Sequence, residues 1–156
     1  MFIGNSTHTL DAKHRVFVPK RFQAQLSHNG ENHLVAVLAR GFDGSLALYT
    51  QEGFMEVAKT LRTNSFNGMD QRKMQRLFFS TAKECQLDKS GRLVIPENLR
   101  EAAGIKKDVV FVGVFDRAEI WSAEKWNEFN KENDDKFDSL GPVILDSDGA
   151  GGADAS

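Results

Sequence analysis

The sequence predicts a mixed α+β chain in which two copies of one small module interlock as an intrachain pseudo-dimer, with flanking helices. Three observations carry that expectation. "LDAKHRVFVP" (10–19) and "LDKSGRLVIP" (87–96) write one pattern 77 positions apart, so that Leu10, Asp11, Arg15 and Pro19 meet Leu87, Asp88, Arg92 and Pro96. The chain has only three prolines, and two of them stand in the same register. Further on, "FDGSLALYTQEGFMEV" (42–57) is echoed by "FDRAEIWSAEKWNEF" (115–129), with the offset reduced to 72. A copy of roughly 45 residues is too small to bury a sufficient core alone, and two interlocked copies solve that problem.

Each copy predicts the same elements in the same order. "HTL" or "CQL" is a short strand, Asp opens a turn, and "RVFV" or "RLVI" is a return strand rich in β-branched residues. Proline then stands where a helix begins, in "PKRFQAQL" and "PENLREAAG", the second closing on Gly104. The first copy's extra residues fall in "LSHNGENH" (26–33), whose Asn-Gly marks a loop. "LVAVLAR" and "DVVFVGVFD" read as buried strands, "LALY" and "AEIW" as the next, and Thr50 and Ser122 as N-caps of the helices that follow. "FNGMDQRKMQRLFFSTAKE" predicts a joining helix bearing Arg72, Lys73 and Arg76. Phe54, Phe66, Phe78, Phe79, Trp121 and Trp126 are candidates for the core or a subunit interface. Residues 138–156, rich in Gly, Asp and Ala, predict disorder. The expected division is a first module at 5–53, a linking helical segment at 54–81, a second module at 82–125, and a helix end with an acidic tail at 126–156.

The turn spacing has a mechanical reason. A carboxylate at the first turn position accepts backbone N–H groups, and Arg four residues on starts the return strand. The residue before each Arg is expected at positive φ, which Gly91 adopts freely and His14 less readily. Two readings of Asp11/Arg15 and Asp88/Arg92 stay open: an ion pair pinning a hairpin, or a tip presenting Arg to an anion. Asp11, Asp88, Gly91 and Arg92 are assigned to the structural turn.

Charge separates the copies. The formal net charge is −2, but residues 130–156 hold seven acids against Lys131 and Lys136, a net −5, leaving +3 on the rest. The first copy surrounds its turn with Lys13, His14, Lys20 and Arg21, whereas the second carries Glu84, Glu97 and Glu101 near its own. The tip expected to touch phosphate is therefore the first.

Paired Asp-x-x-x-Arg turns between strands resemble the AbrB-type swapped-hairpin DNA-binding module. "MF-x-G" at the start, "QRLFFSTA-EC" at 75–85 and "LD-SGRLVIP" narrow the resemblance, over about residues 1–130, to the MraZ family of bacterial transcriptional regulators. That resemblance implies AbrB-like β-barrel modules and a ring-shaped, octamer-like homo-oligomer. It also implies binding to double-stranded DNA at short direct repeats upstream of the chain's own division and cell-wall operon, with Arg15 and its neighbours Lys13, His14, Lys20 and Arg21 at the contact. Family members usually carry glycine where this chain has His14.

Other classes find less support. No run of 18 apolar residues predicts a membrane helix, the start lacks a signal peptide's pattern, and lone Cys85 forms no internal disulfide. A cytoplasmic, nucleoid-associated home is expected. His8, His14, His28 and His33 show no metal-ligand spacing, and Ser6, Ser80 and Ser90 no nucleophile elbow, so no enzyme, metal or cofactor is expected. The alternative is an oligomeric protein-binding or assembly module without regulatory DNA contact.

Overall fold

The computed structural model describes residues 1–63 and 68–144. The chain divides into two compact units, Met1–Ala123 and Glu124–Ser156.

The first unit holds both copies. The first copy supplies β1 (Asn5–Thr9), β2 (Arg15–Phe17), α1 (Lys20–Gln23), β3 (Ser27–His28), β4 (Leu34–Arg40) and β5 (Leu46–Tyr49). Two helices follow, α2 (Gln51–Thr63) and α3 (Met69–Thr81). The second copy supplies β6 (Lys83–Gln86), β7 (Arg92–Val94), α4 (Glu97–Ala103), β8 (Asp108–Gly113) and β9 (Ala118–Ser122). Thr50 caps α2 as its spacing predicts, its Oγ1 accepting the Gly53 N–H at 2.9 Å.

The copies exchange strands reciprocally. β1 pairs antiparallel with β8 through Thr7↔Val110, and β6 pairs with β4 through Val37↔Glu84. β5 pairs with β9 about Ala47↔Glu119, and β2 with β7 about Val16↔Leu93. Backbone bonds outside the strands repeat the symmetry: Leu10 N–H reaches Lys107 O and Leu87 N–H reaches Leu34 O, each at 2.8 Å. Seven strands thus share one antiparallel sheet, while β2 and β7 form a separate ribbon. Between ribbon and sheet lies the main core, where fully buried Val16, Leu93, Ile95 and Leu99 meet Phe22, Leu38, Leu48 and Phe111.

Two expectations are corrected. The sheet path is open, and no closed barrel is found among the described residues. β1 and β6 lead through the Asp turns into β2 and β7, which pair with each other and cover the core as a ribbon instead. Residues 26–33 are also not all loop, since Ser27 and His28 pair with Val35 and Leu34. Asn29 makes that hairpin, its Oδ1 accepting the Glu31 and His33 N–H groups at 3.0 Å.

On the sheet's other face, α2 and α3 build a second cluster, in which Phe54 stacks on buried Phe78 with ring centres 5.8 Å apart. Phe79 lies edge-on to both and is partly exposed. Phe66 and the start of the joining segment lie outside the described residues.

The described part of the second unit is helical: α5 (Ala123–Asn133), which starts at the last residue of the first unit, a 3-10 turn at Asp134–Lys136, and α6 (Phe137–Leu140). Within it Trp126 stacks on Phe129 at 5.3 Å. Helix at 137–140 replaces part of the expected disorder, and residues 145–156 of that expected tail lie outside the described residues.

Candidate nucleic-acid interface

The two turns are built alike. Asp11 Oδ1 accepts the backbone N–H groups of Lys13 and Arg15, both at 2.9 Å, and its Oδ2 takes the Arg15 Nε–H at 2.7 Å. Asp88 accepts Ser90 and Arg92 N–H at 2.9 Å and Arg92 Nε–H at 2.8 Å. Both carboxyls are held below their ordinary range. For Asp11 the largest cause is the Arg15 N–H bond; for Asp88, desolvation works upward, but the bonds from Arg92 and Ser90 together outweigh it. The residue before each Arg does take positive φ, 60° at His14 and 87° at Gly91.

Antiparallel register then sorts the side chains of the ribbon. Val16, Leu93, Val18 and Ile95 point into the core, and the opposite face carries Arg15 beside Val94 and Phe17 beside Arg92. Phe17 and Val94 are 50% and 49% exposed. The Arg92 guanidinium stands 5.6 Å from the Phe17 ring centre and 3.8 Å from Asp11 Oδ2, so the turns of both copies meet on one face. Sequence reasoning missed Phe17 and Val94, because "RVFV" and "RLVI" read as continuous apolar runs until one face is known to be buried.

The predicted contact residues do not all gather there. Lys13 and His14 are exposed in the first turn, Arg15 is half-buried beside them, and Lys20 is exposed at the first position of α1. Arg21 is engaged elsewhere: its Nε–H donates to Ile3 O at 3.2 Å, and its guanidinium lies 5.2 Å from the Phe22 ring centre. Arg92, assigned to the structural turn, has the same carboxylate-pinned geometry as Arg15 and shares its face.

The arrangement has a chemical consequence. Each Arg spends Nε–H on its own Asp, which orients the guanidinium; the terminal N–H groups make no hydrogen bond to a described residue, though one Arg92 terminal nitrogen is ion-paired with Asp11 at 3.8 Å. The two Asp charges offset the two Arg charges, so the free positive charge of the turns rests on exposed Lys13 and Lys89. Such a ribbon can offer oriented donors to base edges and ammonium groups to phosphate.

The histidines take other parts. His8 bonds Ser6 at 2.9 Å and packs edge-on against Phe111, and burial, with Arg21 adding, holds its pKa below 6.5. Cys85 is buried and its thiol pKa is pushed up, chiefly by desolvation. Among the described residues no group of three or more His, Cys, Asp or Glu side chains can hold a metal, and no helix is long and apolar enough to cross a membrane.

Comparison with known proteins matches the chain to the family described as "MraZ protein, putative antitoxin-like", over residues 1–77 and again over 78–140. The chain is 40% identical over 148 residues to the transcriptional regulator MraZ of Moorella thermoacetica, covering 95% of this chain and 99% of that one. It is 42% identical over 146 residues to the protein of the same name from Clostridium beijerinckii, covering 94% and 98%.

Proposed function

This chain belongs to the MraZ family, and on that premise we propose that it is a cytoplasmic, nucleoid-associated transcriptional regulator. It binds double-stranded DNA sequence-specifically through the β2–β7 ribbon. The observation that carries this reading is the outward face of the ribbon, where two carboxylate-oriented arginines stand beside exposed Lys13 and Lys89. A two-stranded ribbon is narrow enough for a major groove, where Arg bonds guanine O6 and N7. Lys13, Lys20 and the exposed edge of His14 lie on the phosphate side of that contact, while Arg21, its Nε–H held by Ile3 O, stands apart from it.

The reciprocal strand exchange supports reading residues 5–53 and 82–125 as two AbrB-like swapped-hairpin modules joined by the helical segment 54–81. A single ribbon offers few phosphate contacts. We therefore infer a ring-shaped, octamer-like homo-oligomer that sets several ribbons on tandem repeats upstream of the chain's own operon, where avidity replaces single-site affinity.

Fluorescence anisotropy against that upstream DNA tests the reading. Binding is expected to weaken steeply with salt, by a log–log slope of roughly −0.9 per neutralised phosphate, and to be much tighter on several repeats than on one. Equal affinity for one repeat and several removes the ring. Absence of binding at low salt removes the DNA reading and leaves the protein-assembly alternative.

A further inference from the structure

We propose that the groove between α2, α3 and the sheet is a binding site for a small amphipathic organic anion, a ligand class separate from the DNA reading above. The groove encloses about 290 Å³, and its apolar wall is Val57, Leu61, Met74 and Phe78. Its floor is low because Ala47 sits at the centre of the β5–β9 pairing, where a larger side chain would rise into the space. The volume is about ten times a water's share of liquid volume, which suits a chain of on the order of ten non-hydrogen atoms. A smaller adjoining space of about 180 Å³ is lined by Leu77 and shares Met74 and Phe78 with the groove.

Polar groups are few: Thr60 on α2, whose hydroxyl donates to Glu56 O at 3.2 Å, and Arg40, Tyr49, Arg117 and Glu119 on the sheet side. Tyr49 is buried to 8% exposure, lines the groove, and its hydroxyl bonds no other described residue. No side-chain nitrogen or oxygen among the described residues is both buried and without a partner, so this hydroxyl is open to the groove, where it can donate to a ligand oxygen. Exposed Arg40 stands at the mouth with its guanidinium paired to no described residue. Arg117 and Glu119 also line the groove but are engaged with each other at 3.5 Å, Arg117 with Asp116 at 3.0 Å and Glu119 with the Trp121 indole at 3.2 Å. Among the described residues that line the groove, charge sums to one positive unit, and the uncommitted one is Arg40. Apolar walls, one accessible phenol hydroxyl and one guanidinium paired to no described residue select a carboxylate with an aliphatic body, the Arg taking the head in a charge-assisted bond.

Calorimetric titration of the full chain, without DNA, with sodium octanoate, octanol and octyltrimethylammonium decides the matter. Saturable binding of one octanoate per chain is expected, about tenfold or more tighter than octanol, with no binding of the cation. Arg40→Ala removes the preference of octanoate over octanol, Tyr49→Phe weakens octanoate several-fold, and Ala47→Leu fills the floor and abolishes both. Circular dichroism verifies the folding of each variant, and if Ala47→Leu does not fold, the Arg40 and Tyr49 variants still discriminate. The proposal is overturned if octanoate shows no saturable binding, as it would were a second copy seated in the groove, or if Arg40→Ala and Tyr49→Phe leave it unchanged.

Discussion

His14 and Gly91 hold one turn position under different surroundings, and that difference explains why one is a side chain and the other is not. His14 is exposed at φ 60°, a region that costs a non-glycine residue about 1–2 kcal/mol. Gly91 is buried at φ 87°, and a Cβ there would meet the Gln23 amide nitrogen at 2.2 Å. That amide donates to Val18 O at 2.7 Å, so moving it breaks a bond that ties α1 to the ribbon. Gly91→Ala is therefore expected to cost about 1–3 kcal/mol in urea unfolding, with part of the loss removed when Gln23→Ala is added. His14→Gly is expected to gain up to about 1 kcal/mol, because relieved strain exceeds glycine's entropy cost. The turn carboxylates contribute to acid sensitivity. Both are held below the ordinary 3.8 in the folded chain, so the unfolded chain binds more protons and stability falls as pH drops through the carboxylate range. Their contribution is complete above the unfolded value and lost below the folded one. Thermal melts from pH 6 to pH 2 are expected to show a decline below about pH 4, and Asp11→Asn with Asp88→Asn is expected to flatten it.

At the scale of the element, the ribbon decides which side chains meet the groove. Arg15 and Arg92 occupy equivalent register positions and each is pinned through Nε by its own Asp, Arg92 lying also 3.8 Å from Asp11, so alanine at either is expected to weaken specific DNA binding by about 1–3 kcal/mol. Lys13→Ala is expected to act instead on the salt slope, reducing it by about one and affecting all sequences alike. Phe17 and Val94 present apolar surface of the kind that contacts a thymine methyl. Replacing each with alanine is expected to relax discrimination at one base pair while the salt slope stays fixed, read by competition with single-base variants of the repeat. The sequence already spelled out the strands, the Asp turns and the positive φ before each Arg, because those depend on neighbours within ten residues. It did not reveal which residues of "RVFV" face outward, since alternation becomes visible only once Val16 and Val18 are buried against Phe22. Nor did it show that Arg21 turns to Ile3, or that Ala47 leaves room beneath α2 and α3, because both depend on segments distant in sequence. The two-residue strand β3 was hidden by Asn29-Gly30, which signals a turn regardless of whether its flanks pair.

For the whole molecule, reciprocal exchange makes each copy a poor independent folder. Without the second copy, β1 lacks β8, one edge of β4 lacks β6, and the inner face of β2 lacks the buried Leu93 and Ile95. An isolated copy would leave unpaired strand edges and half a core in water, a cost that a module of this size cannot meet. In the intact chain the segment between the copies makes their meeting intramolecular, with an effective concentration set by its length. Residues 1–63 and residues 68–123, produced separately, are therefore each expected to give circular dichroism spectra of largely unfolded chains at low micromolar concentration. Mixing them is expected to restore the β-sheet signal, with a melting temperature that rises with concentration by mass action. Self-association of one fragment would carry the same concentration dependence, because one copy then takes the other's place. A fragment that folds as a monomer with a concentration-independent melting temperature would show that the copies are separate domains, and that their strand exchange is not what holds the chain together.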